Sequence, residues 1–357
     1  MRIRPLDNLT LRQALISPEV LRSLEILDWD YLLQASRAAG LLAHIDVLLA
    51  DMNLFEAIPA RVKPHLIAAR LVAENEARIL RWEVDRLSCA LESLGCPVIL
   101  LKGAAYSLLG LAMSKGRISS DVDILVPKTE IGAVEQRLLH YGWAHVKLND
   151  YDQFYYRHWS HELPPLQHRD RGTVVDVHHT ILPPVGRLHP DPEKLLAVSL
   201  PLAGTRFRVL APADMVLHSA AHGFQDGDLK RGLRDLVDID GLLRQFGQDE
   251  KFWQELGGRA QELGLTRPLY YAVRYAQRHL ETPIAPALLE QSKRWRPVWL
   301  ALAVMDKVVD QVVTAGPWRQ DVGLKLSQQL LYIRSHWLRM PPHLLIPHLI
   351  RKALKKK

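Results

Sequence analysis

Residues 97–126 read PVILLKGAAYSLLGLAMSKGRISSDVDILV, and this stretch decides how the chain folds. An apolar run over 98–101 ends at Lys102-Gly103, and a segment with helical spacing follows over 103–111. A polar loop then leads into Asp121-Val122-Asp123, which is fused to a second apolar run ending at Val126. The pattern predicts strand, helix, loop and strand. Successive side chains of a strand point to opposite faces, so Asp121 and Asp123 share one face while Val122 and Ile124 take the other. Two carboxylates side by side repel each other. A divalent cation is the simplest reason to keep them together, because Mg2+ is held by one or two carboxylates plus substrate phosphates.

Outward from this stretch, residues 129–141 fit a helix with Gly142 as its C-terminal stop. Residues 143–148 and 206–210 are candidate strands, and 173–179 (TVVDVHH) is a strand candidate rich in β-branched residues. The aromatic cluster Tyr151, Phe154, Tyr155, Tyr156 and Trp159 reads as an edge strand packed on a neighbour, or as a surface on which a base stacks. Residues 1–95 carry helical spacing from Leu9-Thr10-Leu11 onward, with a long amphipathic run over 66–94. Gly95-Cys96-Pro97 ends that run. From Ala211-Pro212, where proline suits a helix start, the chain is helical again. The expectation is an α+β protein with a short mixed sheet and flanking helices in a core over 96–210. That core stands between an N-terminal helical region, 1–95, and a C-terminal helical region with a basic tail, 211–357.

The chain's 357 residues suffice for a sizeable core. Hydrophobic residues at 48% and charged residues at 24% are ordinary for a globular protein and exclude disorder beyond the last few residues. A net charge of +7 suits a nucleotide, another polyanion or an acidic membrane surface without choosing among them. Cys89 and Cys96 are too few for a disulfide framework or a cysteine metal cluster, and fit a reducing compartment. The N-terminus MRIRPLDNLTLRQAL lacks the apolar core of a signal peptide. No apolar run reaches the roughly 18 residues of a spanning helix, so the expected location is cytoplasmic. Residues 333–339 and the basic run 351–357 offer a weak contact with an anionic membrane surface. A solvated, frayed tail is the preferred reading. No dense Lys/Arg stripe appears outside that tail, which argues against a nucleic-acid partner.

The chemistry-bearing residues are few. Asp176 lies in Val174-Val175-Asp176-Val177-His178, where alternation again puts an acid on one face and valines on the other. Paired acids plus a third from a neighbouring strand make a two-metal site for phosphoryl or nucleotidyl transfer, one metal holding the triphosphate and the other sharpening an incoming hydroxyl. The third acid binds metal or accepts a proton. Gly103 at a strand-to-helix turn lets phosphate oxygens approach backbone N–H groups, and the helix start that follows favours an anion. Lys102 stands beside it. Arg117, Ser119 and Ser120 precede Asp121 and are placed to hold a leaving pyrophosphate, with Arg117 as the charge clamp. His178 shares the Asp176 face, where it orients the acid or contacts substrate, or else is simply buried behind it. His179 points the other way and reads as structural. His218 and His222 share a helix face. No Glu follows the first of them as in the metalloprotease pattern, so they read as a polar face turned to the cleft, near a nucleotide, rather than as zinc ligands. Asp238 reads as one half of a structural ion pair, with Arg234 or with an arginine elsewhere.

Several pieces together carry a family likeness. They are Leu100-Leu101-Lys102-Gly103, Arg117, the run Asp121-Val122-Asp123-Ile124-Leu125-Val126, Gly142, Val175-Asp176-Val177-His178, and downstream His218, His222 and Asp238. Over residues 90–245 the chain resembles the nucleotidyltransferase superfamily related to DNA polymerase beta, and more narrowly its bacterial group of uncharacterised nucleotidyltransferases. The resemblance implies a nucleotidyltransferase fold and transfer of an NMP from an NTP, such as ATP, with Mg2+ or Mn2+. Asp121, Asp123 and Asp176 take the metal and catalytic positions, and Gly103 takes the phosphate-turn glycine. The wider superfamily has Gly-Gly or Gly-Ser at that turn. This chain has Gly103-Ala104, so no serine reaches phosphate there and Lys102 compensates. The same site also suits phosphoryl or glycosyl transfer from a nucleotide donor, or non-catalytic nucleotide binding. The acceptor is unidentified, with a small molecule, peptide or protein favoured over nucleic acid.

Overall fold

The computed structural model describes residues 9–146, 149–226, 229 and 232–355. The N-terminus before Leu9, the end of the strand expected over 143–148, and the last two lysines lie outside the described residues. Among those described, the first α-helices are α1 (Leu9–Ile16), α2 (Ile26–Ala39), α3 (Leu42–Asp51) and α4 (Lys63–Leu91). The middle of the chain holds β1 (Ile99–Leu100), α5 (Lys102–Leu108), β2 (Asp121–Leu125), α6 (Ile131–His140), β3 (Trp143–His145) and α7 (Asp150–Trp159). It continues with β4 (Leu166–His168), β5 (Val174–His178), α8 (Pro192–Ala197), β6 (Leu200–Pro201) and β7 (Arg208–Val209). After these come α9 (Pro212–Ala221), α10 (Gly232–Phe246), α11 (Glu250–Glu262), α12 (Thr266–Leu280), α13 (Pro286–Ser292), α14 (Trp299–Val313), α15 (Val322–Arg339) and α16 (Pro342–Lys355).

The strands form one mixed sheet in the order β3-β4-β5-β2-β1-β7-β6, flanked by helices as expected for a mixed α+β protein. β2 runs parallel to β5 and β1 parallel to β7, while the other pairs are antiparallel. Alternation explains the strand faces: Val122, Ile124, Val175 and Val177 are buried, and the acids between them face outward. α4 packs on β2, α5 and α6. Its Leu66, Leu80, Val84, Leu87 and Leu91 are buried along one helix face. One continuous apolar core runs from Leu11 to Leu331. Among the described residues no single helix is long and apolar enough to cross a membrane.

Two features hold the loop before β2. Gly116 adopts φ +74°, and a Cβ there would lie 2.7–2.8 Å from backbone atoms of Ala43 and His44. The loop is therefore laid directly on α3, and only glycine meets both demands. Arg234 on α10 donates to the carbonyl of Ile118.

Two expectations are corrected. The aromatic cluster is not an edge strand but the helix α7. The side chain of Asn149 caps it by accepting from the backbone N–H of Asp152 at 3.1 Å, and Tyr151, Tyr155 and Trp159 recur at four-residue spacing on one face. Residues 333–339 are not a frayed tail but the end of α15. Arg334 donates to the carbonyl of Phe224 at 2.6 Å, and α16 follows with His348 Nδ1 against the Tyr151 hydroxyl at 2.8 Å.

Candidate active site

Register builds the acidic centre. In the β2–β5 ladder Asp123 stands opposite Asp176, and Asp121 opposite Val174. The odd-numbered positions of β2 and the even-numbered positions of β5 thus project from the same face. Carboxylate oxygens of Asp121, Asp123 and Asp176 lie within 4.8 Å of one another. Asp121 is exposed and the other two are half-buried. Burial and the neighbouring Asp123 raise the Asp121 carboxyl above the usual range. Burial, Glu162 and Asp123 push Asp176 up to about 7. Asp123 goes the other way. Burial opposes its charge, but Lys102 and a hydrogen bond from His178 hold its carboxyl well below the usual range. One buried oxygen, Asp176 Oδ1, has no hydrogen-bond partner. An all-oxygen donor set with such an orphan fits a hard divalent cation, which these three residues would hold.

The triad opens into a cavity of about 350 Å3. All ten sequence-derived site residues line it: Asp121, Asp123, Asp176, Lys102, Gly103, Arg117, Ser119, Ser120, His178 and His222. Lys102 sits where β1 turns into α5, in the left-handed region at φ +39°. A non-glycine residue there is strained, and such strain persists where surrounding structure enforces it. Its Nζ donates to His222 Nδ1 at 3.1 Å. His222 opens a π-helical turn after α9 and faces solvent at the cleft. Lys102 and burial bring its imidazole down to about 3, so it is neutral. His218, one turn earlier, is buried and does not line the cavity, and burial, Lys102 and His222 hold it neutral as well.

The phosphate side differs from expectation in how its parts are used. The space in front of Gly103 is filled by protein, since a Cβ there would collide with the side chains of Ser119 and Arg117. Arg117 donates to Ser119 Oγ and pairs with Asp238, Nε shared between Oδ1 at 3.2 Å and Oδ2 at 3.1 Å and Nη2 meeting Oδ2 at 3.1 Å. Asp238 therefore pairs with Arg117, not with Arg234 of its own helix. The guanidinium also lies over the Tyr106 ring at 5.7 Å. Arg117 is thereby a fixed cation on the cleft wall.

Five further residues line the cavity, Ile118, His161, Glu162, Arg234 and Asp235, and the sequence reading placed none of them there. The connector after α7 runs alongside β5, with Leu163 N–H donating to Val177 O and His179 N–H to His161 O, both at 2.9 Å. This brings Glu162 Oε2 to 3.5 Å from His178 Nε2, which also meets Asp123 Oδ1 at 3.3 Å. Burial opposes charge on His178, but the Asp123 hydrogen bond and Glu162 outweigh it and raise its imidazole. His178 thus stands between two carboxylates, both of which favour its charged form. Burial and Asp238 push Asp235 up to about 6.

A solved structure described as an antigenic nucleotidyltransferase-like protein from Paracoccidioides brasiliensis is similar at 16% identity and a TM-score of 0.33. The match covers 59% of this chain and 96% of that one. No curated protein matches. The family described as "Uncharacterised nucleotidyltransferase" matches residues 26–281, well over half of the 357, and the chain belongs to that family.

Proposed function

We propose that the protein is a nucleotidyltransferase that uses Mg2+ or Mn2+ to move an NMP from an NTP to a hydroxyl group of a second substrate. The observation that carries this reading is the triad of Asp121, Asp123 and Asp176 on adjacent parallel strands, with an unpartnered buried oxygen on Asp176. Bound there, the ion supplies charge neutralisation at the phosphates and favours the ionised form of an incoming hydroxyl. Lys102 and the fixed guanidinium of Arg117 balance phosphate charge on the opposite wall, with Ser119 and Ser120 as hydroxyl donors. His178 keeps Asp123 ionised and oriented.

Transfer forms a bond from the acceptor oxygen to the α-phosphorus. The bond from that phosphorus to the bridging oxygen breaks, and pyrophosphate leaves with the electron pair. The acceptor's proton passes to Asp176, whose second carboxylate oxygen serves as acceptor.

The test supplies each NTP labelled at the α-phosphate, with Mg2+, to the wild type and to an Asp121→Asn/Asp123→Asn double variant. Label is followed into lysate small molecules, protein and RNA. Transfer is expected from the wild type and absent from the double variant. Label moving from the γ-position instead, or turnover by the double variant, would replace this reading with phosphoryl transfer or move the chemistry elsewhere.

A further inference from the structure

A second cavity of about 240 Å3 adjoins the catalytic cleft, and the two share His161 and Glu162. Tyr155 and Tyr156 of α7 form one wall. Arg339, from the end of α15, and His348, from α16, line the cavity as well, with the His348 ring against Tyr155 at 5.1 Å. Glu162 reaches the triad through His178, whose Nε2 lies 3.5 Å from Glu162 Oε2 and 3.3 Å from Asp123 Oδ1.

The position of Arg339 is set by backbone. The loop after β5 meets the end of α15, where Arg187 N–H donates to Leu338 O at 3.0 Å and Arg187 Nε to Trp337 O at 3.1 Å. Gly186 packs so closely that a Cβ would lie 3.3 Å from the Arg339 carbonyl oxygen. The backbone of Arg339 is therefore held against the loop that follows β5, the strand that carries Asp176. The arginine's charge also reaches the catalytic cleft, where it helps hold His222 neutral.

We infer that this second cavity is the acceptor subsite, and that it takes a small hydroxyl-bearing molecule whose carboxylate or phosphate group is bound by Arg339. The inference rests on the nucleotidyl-transfer reading for the word acceptor, while the anion site itself stands on the cavity and its arginine. At about 240 Å3 the space is below the roughly 300–1,000 Å3 of pockets for drug-sized ligands, which limits the occupant to a compact molecule. The tyrosine rings supply apolar contact along its length. An anion at Arg339 leaves the hydroxyl end directed past Glu162 toward Asp176, where the phosphorus is attacked.

The experiment measures binding of three probes to the full chain by calorimetry: glycerate, glycerol 3-phosphate and glycerol. Binding of at least one anionic probe, with glycerol binding undetected, is expected, and comparison of the two anions decides between carboxylate and phosphate. Arg339→Gln is expected to weaken the bound probe about tenfold or more, the size of a charge-assisted hydrogen bond. Lys102→Ala is expected to leave it unchanged, and Arg339→Lys to recover part of the loss. As a check that needs no variant, the bound probe should protect Arg339 from phenylglyoxal in the wild type, read by mass spectrometry. No anion binding, or a loss with Lys102→Ala and not with Arg339→Gln, overturns the subsite. The two readings fail separately. Absence of α-label transfer from every NTP, with probe binding intact at Arg339, removes the transferase reading and leaves the anion site.

Discussion

Replacing Asp176 by Asn should make the ion-free protein more stable at pH 8, although it removes a residue of the active site. The folded protein holds this carboxyl at about 7, against an ordinary value of 3.8. The sign follows from linkage. A carboxyl raised on folding stabilises the folded state, relative to its ionised form, below about pH 4, and that advantage is lost as pH rises through about 7. At pH 8 the ionised form carries the whole penalty, and the gap between the two values corresponds to about 4 kcal/mol. Asn relieves the repulsion but still buries a polar group, so a net gain of about 1–2 kcal/mol is expected. At roughly 2.1 cal/mol/K per residue, a chain of 357 residues converts this to a rise of about 1–3 °C in Tm. The assay is thermal unfolding of wild type and Asp176→Asn in EDTA at pH 5 and pH 8, repeated with millimolar Mg2+. Asn should raise Tm at pH 8 and lower it by about 1–2 °C at pH 5, where the carboxyl carries only about 1.6 kcal/mol of the penalty that Asn relieves. Mg2+ should stabilise the wild type at pH 8, less at pH 5, and least in the variant. An Asp176→Asn protein less stable than wild type at pH 8, with an undiminished response to Mg2+, refutes the reasoning, because the triad would then be neither strained nor an ion site.

Other perturbations probe the walls of the cleft. Gly103→Ala places a methyl group 2.8 Å from Ser119 Cβ and against Arg117, so a loss of about 1–3 kcal/mol from overpacking is expected. Thermal unfolding checks it, and an unchanged Tm shows that Ser119 and Arg117 are not held as described. Asp238→Ala leaves the Arg117 guanidinium without its carboxylate in a largely buried position. A destabilisation of about 3–5 kcal/mol in denaturant titration is expected, and a change within experimental error shows that solvent already shares that charge.

The sequence displays local periodicity well and distant contact poorly. Strands β1, β2, β5 and β7 were legible because β-branched or aliphatic runs alternate with the two acidic segments. β4 and β6 were not, because three and two residues hold no period. The helix α7 was misread since its aromatic side chains suit a strand, while its Asn149 cap was the available signal. The three acids were found from alternation on two strands. His161 and Glu162 carry no motif, standing before Leu163-Pro164-Pro165 in a connector whose role exists only through its pairing with β5. Arg234 and Asp235 lie on α10, where their spacing is that of any charged helix face. The pairing of Arg117 with Asp238 spans 121 positions and has no local trace at all.

The parallel pairing of β2 with β5 has an evolutionary consequence. Sliding β5 by one residue would set a valine opposite Asp123 and turn Asp176 into the apolar interior. Within these two strands, insertions and deletions are therefore not gradual changes but abolitions of the site. Descendants of this chain can alter the centre only by substitution. Length variation is confined to the crossover between the two strands and to the helices beyond, the parts that border the second cavity. A lineage can thus remodel those segments around the second cavity while the acidic centre stays fixed in frame.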